Sequence, residues 1–483
     1  MSQVRSRPRR IAVIGGGIAG LTAAYELAKL SSLEEPLHVA LYEASSRLGG
    51  IVETIREGGF VIEGGPDGWV SEKPWARELA IELGLEEELI FSNDDERRTY
   101  VLIDGILKAM PGGMRMMVPA DLAALDASDL FSSEAKQAFH QELGRAEELK
   151  KQAPIHDESV AAFVRRHFGD EVLDKIGAPL LSGVFGGDVA QLSVRAVMAP
   201  FVAMEREHGS LIAGLKAREA TAGKKKTPLF TTLRSGLGTL IDRLVAAIPH
   251  EWVHLNVETT AIEREIEGWT LSTSAGREQF DVVMIAAPLH VARALLAPID
   301  DRAVELMQMD ASSAVIVGFG FDDAAKAPVP SGFGFLVPPD SNSLLLACTF
   351  MDQKFSHRVP AGGRLLRAFF GGRAAERVLR CGNDETAAIA RMELARILGP
   401  LPEPRVTVVR RLPLSLPQYA VGHLERIAEL DERLRGLNGL WLLGNGYRGV
   451  GLPDLIRDSR AAARAAFGLA GGTGKANEAP ISA

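Results

Sequence analysis

Residues 15–20 read GGGIAG and set Gly15, Gly16, Gly17, Ile18, Ala19 and Gly20 between an apolar run and an amphipathic one. Such a turn suits phosphate. Gly15 permits a tight bend, Gly17 lets backbone approach a pyrophosphate, and Gly20 lets the following helix pack closely. The helix start offers free N–H groups and a positive dipole end. A bare GxGxxG is weak by itself, because a glycine turn without any ligand has the same spelling. Glu43 sharpens it. It ends a second apolar run at HVALY, where a carboxylate accepts ribose hydroxyls. Ala44, Arg47, Gly49, Gly50 and Ile51 follow in EASSRLGGI, and GGFVIEGGPDGWV then brings Gly65, Pro66, Asp67 and Gly68. Three glycine turns this close together suggest a long cofactor with a large head group, which is FAD rather than NAD.

The elements needed to hold these turns are legible. IAVI reads as a buried parallel strand. LTAAYELAKL carries Leu21, Ala24, Leu27 and Ala28 at helical spacing. Far downstream, LWLLGN reads as a strand and VGLPDLIRDSRAAARAAF as a helix, with Pro453 tolerated in its first turn and Asp454 near its positive end. Residues 251–273 alternate like a hairpin or meander, and DVVMIAAP reads as a further buried strand.

The chain of 483 residues has room for two or three domains, and its 46% hydrophobic content supports a sizeable core. A net charge of -8 argues against general nucleic-acid binding. The two cysteines, Cys348 and Cys381, form no CxxC, which speaks against a disulfide framework or metal site and for a reducing cytoplasm. The basic start MSQVRSRPRR looks like a signal n-region, but glycines break the apolar run behind it, and no signal peptide is expected. Nor is a membrane-spanning helix.

The glycine turns together resemble the flavin-containing amine oxidase superfamily. Residues 177–214 (GAPLLSGVFGG to GSLIAG), SLPQYAVGHLER at 415–426, and 440–463 (LWLLGNGYRGVGLPDLIRDSRAAA) are similar to its oxygen-dependent protoporphyrinogen and coproporphyrinogen oxidases of haem synthesis. The resemblance runs from about residue 10 to about 470 and implies an α/β fold. In it, a discontinuous Rossmann-like FAD-binding domain takes 1–90, 229–300 and 426–470. A mixed-sheet substrate-binding domain takes 91–113 and 301–425, an all-helical subdomain takes 114–222, and 471–483 form a disordered tail.

The resemblance also implies site residues. The backbone of Val257 meets the adenine, Gly444 and Asn445 approach the ribityl-pyrophosphate, and Val450, Gly451 and Leu452 face the flavin ring. Gly183, Gly186, Phe333, Gly334, Leu336 and Phe369 are candidate walls for the macrocycle, though each equally suits ordinary core. In plant and animal members an Arg stands immediately before the aromatic of the strand in ERRTYVLIDGILKAMP. Here that position is Thr99, preceded by Arg97 and Arg98, which become the candidate clamps for substrate propionates. Asp67 stands where plant members often carry Asn. An anion beside a flavin disfavours its reduced form, so its side chain is expected to bond neighbouring backbone.

The implied reaction takes six electrons from a porphyrinogen in three rounds, each ending with O2 reduced to H2O2. The cofactor carries the chemistry while the protein supplies orientation and polarity. No catalytic residue and no metal ligand stands out. Partners beyond the tetrapyrrole and O2 are a homodimer, a haem-pathway enzyme, and a peripheral contact with the inner face of the cell membrane. The methionines of MPGGMRMMVP fit such a contact, but fit core packing at least as well. GKKKTP at 223–228 reads as a basic linker. An amine oxidase, which needs an aromatic cage and a Lys over the flavin, and a non-catalytic flavin-binding protein are the alternatives.

Overall fold

A computed structural model of the protein describes residues 8–32, 35–221 and 228–467. The expected tail, the signal-like start up to residue 7 and residues 223–227 of the basic linker lie outside the described residues.

A five-stranded parallel sheet is ordered Val253–Leu255, Leu37–Glu43, Arg9–Ile14, Val282–Ile285, Leu440–Leu442. Side chains alternate across a strand, and this one is buried on both sides. Ile11 and Val13 pack with Leu21, Leu27, Ile456 and Ala463 from the helices Ile18–Leu30 and Leu452–Phe467. Ala12 and Ile14 pack with Trp269, Leu271 and Phe280. Those three residues come from an antiparallel meander, Thr259–Arg264, Trp269–Thr273 and Gly276–Phe280. The hairpin expected over 251–273 is therefore split. Its first strand joins the parallel sheet, because Asn256 turns the chain at φ 56° and the Val257 amide bonds Glu43 O at 3.0 Å.

The first and last described segments close on the same sheet. Leu443 N donates to Ile285 O at 2.8 Å, and Ala286 N donates to Ile14 O at 2.7 Å. Glu26, almost wholly buried, receives Arg460 at 3.0 Å and Arg464 at 2.7 Å.

A second sheet has seven strands, ordered Val406–Pro417, Ala311–Phe321, Arg364–Gly371, Ala347–Phe350, Gly334–Leu336, Thr99–Ile103, Ile106–Ala109. All pairs are antiparallel except Gly334–Leu336 with Thr99–Ile103. One face carries Val315, Val317, Phe335, Phe350 and Phe370 and is sealed by the helices Gly372–Val378 and Asn383–Leu398. The opposite face is made of the alternate residues and looks toward the glycine turns.

Residues 122–221 are mainly helical and surround their own core of Phe139, Phe163, Phe168 and Ile176. Met117 is fully buried there, and Met110, Met114 and Met116 pack against the same core.

Candidate active site

The first strand hands the chain to the glycine turn at Gly15, whose φ is 107°. A Cβ there would stand 2.6 Å from Ala286 O, and a Cβ on Gly20 would overlap Gly15 O. These two glycines are demanded by the fold itself. Gly17 differs. It is the N-cap of Ile18–Leu30, no side chain caps that helix, no acidic residue stands in its first turn, and a Cβ on Gly17 would meet nothing within 4 Å. Ile18 and Ala19 are nonetheless buried. A buried helix start with neither a side-chain cap nor an acidic residue in its first turn suits a pyrophosphate, so the residues fit an FAD.

Glu43 reaches back into the turn. Its Oε2 accepts the Gly16 amide at 2.7 Å, while Oε1 accepts both the amide (2.9 Å) and the hydroxyl (2.6 Å) of Ser45. Of four lone-pair directions, three are in use, so a ribose finds one ready acceptor and gains others only by displacing Ser45. Ala44 is exposed beside it. The Val257 amide is committed to Glu43 O, which leaves its carbonyl to meet a base.

The second turn is bolted to the first. Gly49 N donates to Gly16 O at 2.8 Å, and a Cβ on Gly50 would touch the Gly17 Cα at 3.2 Å. Arg47 spans the turn inward, donating to Leu48 O at 2.9 Å and Val52 O at 3.0 Å. The third turn continues the contact: a Cβ on Gly65 would overlap Ile51 O, and one on Gly68 would stand 2.7 Å from Thr231 O.

Pro66 leads to Asp67, where the expectation fails. The Asp67 carboxylate does not bond backbone. Lys354 Nζ donates to both its oxygens at 3.0 Å, and Arg367 Nη1 lies 3.2 Å away. The carboxylate is only 17% exposed, and a charge so placed needs countercharges rather than amides. Burial pushes its pKa up, but Lys354 and then Arg367 outweigh burial and hold it below the usual carboxylate range.

At the other end of the chain, Gly444 has φ 121° and open space around it. Asn445 Nδ2 donates to Ser415 O at 2.8 Å. Tyr419 staples the loop that follows: its hydroxyl donates to Asn445 O at 2.6 Å and accepts from Gly449 N at 3.0 Å. His423 stacks on Tyr419, ring centroids 3.9 Å apart, and places Nε2 2.7 Å from Tyr447 O. Val450 and Gly451 are half-buried and Leu452 is buried as it opens the last helix. Ser415, Tyr419 and His423 of SLPQYAVGHLER thus shape the turn before Val450, a role that the motif's spelling does not reveal.

The register of the seven-stranded sheet sorts the proposed walls. Thr99, Gly334, Thr349, Arg367 and Gly318 form one row, and Val101, Leu336, Ala347, Phe369 and Ile316 the next on the same face. Leu336 and Phe369 remain partly open, and Arg367 leaves this face to bond Gly65 O. Phe333 is buried one residue ahead of its strand, its amide on Arg98 O at 2.8 Å. Gly183 is exposed with open space. Gly186 is half-buried, and the side that a Cβ would take is filled. It ends the helix Ala178–Phe185, and a Cβ on it would press Leu416 and Ser312 at 3.0 Å each. The protein's own strand fills that space.

Arg97 and Arg98 also depart from expectation, since the strand begins only at Thr99. Arg97 follows the short turn Asp94–Glu96 and is half-buried, Arg98 is exposed, and neither is in an ion pair among the described residues. The rule that neighbouring strand residues face opposite sides therefore does not fix where they point. Lys354, Arg367, Tyr419 and His423 are the residues that sequence reasoning missed. RLLRAFFGG offered one hint, an Arg inside an otherwise apolar strand.

Among the described residues no group of three or more His, Cys, Asp or Glu could hold a metal, and no helix is long and apolar enough to cross a membrane. Residues 18–466 match the family model described as flavin containing amine oxidoreductase. The chain is 32% identical over 462 residues to a coproporphyrinogen III oxidase of Bacillus subtilis, covering 94% of this chain and 97% of that one. It is 30% identical over 474 residues to the chloroplastic protoporphyrinogen oxidase 1 of Spinacia oleracea, covering 92% and 81%. A solved protein from Exiguobacterium sp. 255-15, provisionally assigned as a protoporphyrinogen oxidase, superposes with a TM-score of 0.83 at 32% identity, covering 97% of this chain and 99% of that one. From its closing turns to its relatives, this chain belongs to the flavin-containing amine oxidoreductase family and, within it, to the porphyrinogen oxidases.

Proposed function

We propose that the protein oxidises coproporphyrinogen III to the porphyrin, with FAD as cofactor and O2 as final acceptor, releasing H2O2. The observation that carries this reading is the inner face of the seven-stranded sheet. Threonine, glycine and alanine at 99, 334, 349 and 347 leave a low floor between Leu336 and Phe369, closed at its far end where Ile62 covers Gly318. From Thr99 to Arg367 that floor crosses three strand spacings, about 14 Å, comparable with the width of a flat four-ring macrocycle. Arg367 ties it to the Gly65–Asp67 turn. A large apolar substrate is thereby brought beside the turns that fit the cofactor.

FAD, when bound, supplies the two-electron chemistry. The chain's own residues position and select. Gly17 and the uncapped start of the first helix hold the phosphates, Glu43 the ribose and the Val257 carbonyl the base. Gly444, Asn445 and the stretch Val450, Gly451 and Leu452 hold the far end. These segments, from 1–90, 229–300 and 426–470, make the cofactor domain; 91–113 with 301–425 make the substrate domain, and 114–222 the helical one. Arg97 and Arg98 directly precede Thr99 at one end of the floor and are in no ion pair among the described residues, suited to propionates.

The relative from Bacillus subtilis, named for coproporphyrinogen III, supports that choice over protoporphyrinogen IX. A homodimer, a haem-pathway enzyme partner and peripheral contact with the inner face of the cell membrane rest on the resemblance alone. The test compares porphyrin fluorescence appearing from each porphyrinogen with purified protein, beside Arg97→Ala and Arg98→Ala. Coproporphyrinogen III is expected to react faster, and the Arg variants to raise its KM. Equal or greater turnover of protoporphyrinogen IX would overturn the substrate choice.

A further inference from the structure

Five ionisable side chains meet behind the third glycine turn. Asp67 pairs with Lys354 and Arg367, and Glu63 faces Arg358 Nη1 at 3.4 Å. Glu63 and Arg358 are wholly buried, and Arg367 and Lys354 nearly so. Three cations against two carboxylates leave one unit of positive charge in excess. Neighbouring carboxylates do not cancel it, since Asp352 is met by Arg364 at 3.1 Å and Glu53 by both Arg47 and Arg410. Lys354 is held in place by the rings of Phe230 and Phe355, 4.4 and 5.2 Å from its Nζ. Arg367 is anchored on Gly65 O and over Phe369 at 5.1 Å.

A buried charge excess is costly and persists only where something offsets it. Two of the groups sit on Gly65 and Asp67, the turn read above as bordering the cofactor. A flavin that takes up two electrons and one proton becomes one unit more negative, so a fixed cation close by favours the reduced form. Asp67 by itself would have the opposite effect.

We propose that Lys354 and Arg367 are positioning residues for charge, which over-neutralise Asp67 and raise the reduction potential of the bound FAD. The proposal rests on the reading that the turn Gly65–Gly68 borders FAD. Electrons for the cycle come from the porphyrinogen and leave to O2, and the cluster changes only how readily they are accepted.

The test uses flavin-loaded protein and reads the midpoint potential by dye-coupled titration, with the dissociation constant for sulfite, which adds to electron-poor flavins, as a second measure. Lys354→Met is expected to lower the potential and weaken sulfite binding about tenfold, equivalent to about 30 mV for two electrons. Lys354→Arg is expected to restore both, and Asp67→Asn to move both the opposite way. A packing role alone would not give opposite signs for the two charges. If Lys354→Met fails to fold, the Asp67→Asn arm and the double variant Asp67→Asn with Lys354→Met, which removes the pair together, still decide. Flavin-loaded variants with wild-type potential and sulfite affinity would overturn the proposal. A wild-type protein that takes up no FAD would overturn the cofactor reading beneath it.

Discussion

Replacing Gly17 with alanine separates what the fold needs from what the ligand needs. Gly17 has φ -73°, which alanine adopts without strain, and the new Cβ meets no atom within 4 Å. Reduced freedom of the unfolded chain favours alanine by about 0.4–1 kcal/mol, and alanine's weakness as an N-cap costs a similar amount. Stability without cofactor should therefore stay within about 1 kcal/mol of wild type. Binding should not. The open side of Gly17 is where the pyrophosphate belongs, and a methyl group there pushes it off the uncapped amides. Losing one hydrogen bond to a charged group costs about 1.5–3 kcal/mol, which is about 10- to 150-fold in affinity. Gly15→Ala is the contrasting control, because its Cβ would stand 2.6 Å from backbone oxygen and the fold itself should suffer. The assay strips the flavin, measures thermal unfolding of the apoprotein, and titrates FAD back by fluorescence quenching. A Gly17→Ala protein with wild-type unfolding and FAD affinity within about threefold of wild type would refute the reasoning.

Two further outcomes follow from the loop before Val450. Tyr419→Phe removes both hydroxyl bonds that staple Asn445 and Gly449. It should destabilise the loop by about 2–4 kcal/mol, seen as faster flavin loss and quicker hydrogen exchange at 445–449. Burial pushes the His423 imidazole down from 6.5 to about 4, more than its bond to the Tyr447 carbonyl pulls it back up. The unfolded chain then takes a proton below 6.5 that the fold refuses until about 4. Its contribution, complete above 6.5, is thus lost as the pH falls across that window. Urea unfolding at stepped pH should show this loss, and His423→Gln should flatten it.

The parts legible in the sequence are those governed by local rules. GGGIAG sits between a buried strand and a helix because only glycine tolerates φ 107° under Ala286 and contact with Gly15 O at position 20. The final strand and helix were readable from a proline and an aspartate at a helix start. What could not be read is pairing across long distances. Asp67 and its partners Lys354 and Arg367 lie about 290 and 300 residues apart, so nothing local tells a buried carboxylate which cation it will meet. The same holds for Gly186, whose neighbour is a strand more than 120 residues away, and for Arg98, whose place depends on where the strand Thr99–Ile103 begins. The split of 251–273 turned on one left-handed Asn256, a conformation that Asn tolerates but does not announce.

The strand Val282–Ile285 lies between the first strand of the chain and the last. A nascent chain that has emerged only that far carries a raw sheet edge of hydrogen-bonding groups where Leu440–Leu442 will later lie. Translation must proceed through the last helix before this edge is covered and before Glu26 acquires Arg460 and Arg464. Cofactor loading therefore waits until the last helix has folded, and stops that remove Leu440–Leu442 and the helix after it should yield aggregates rather than a weakened enzyme.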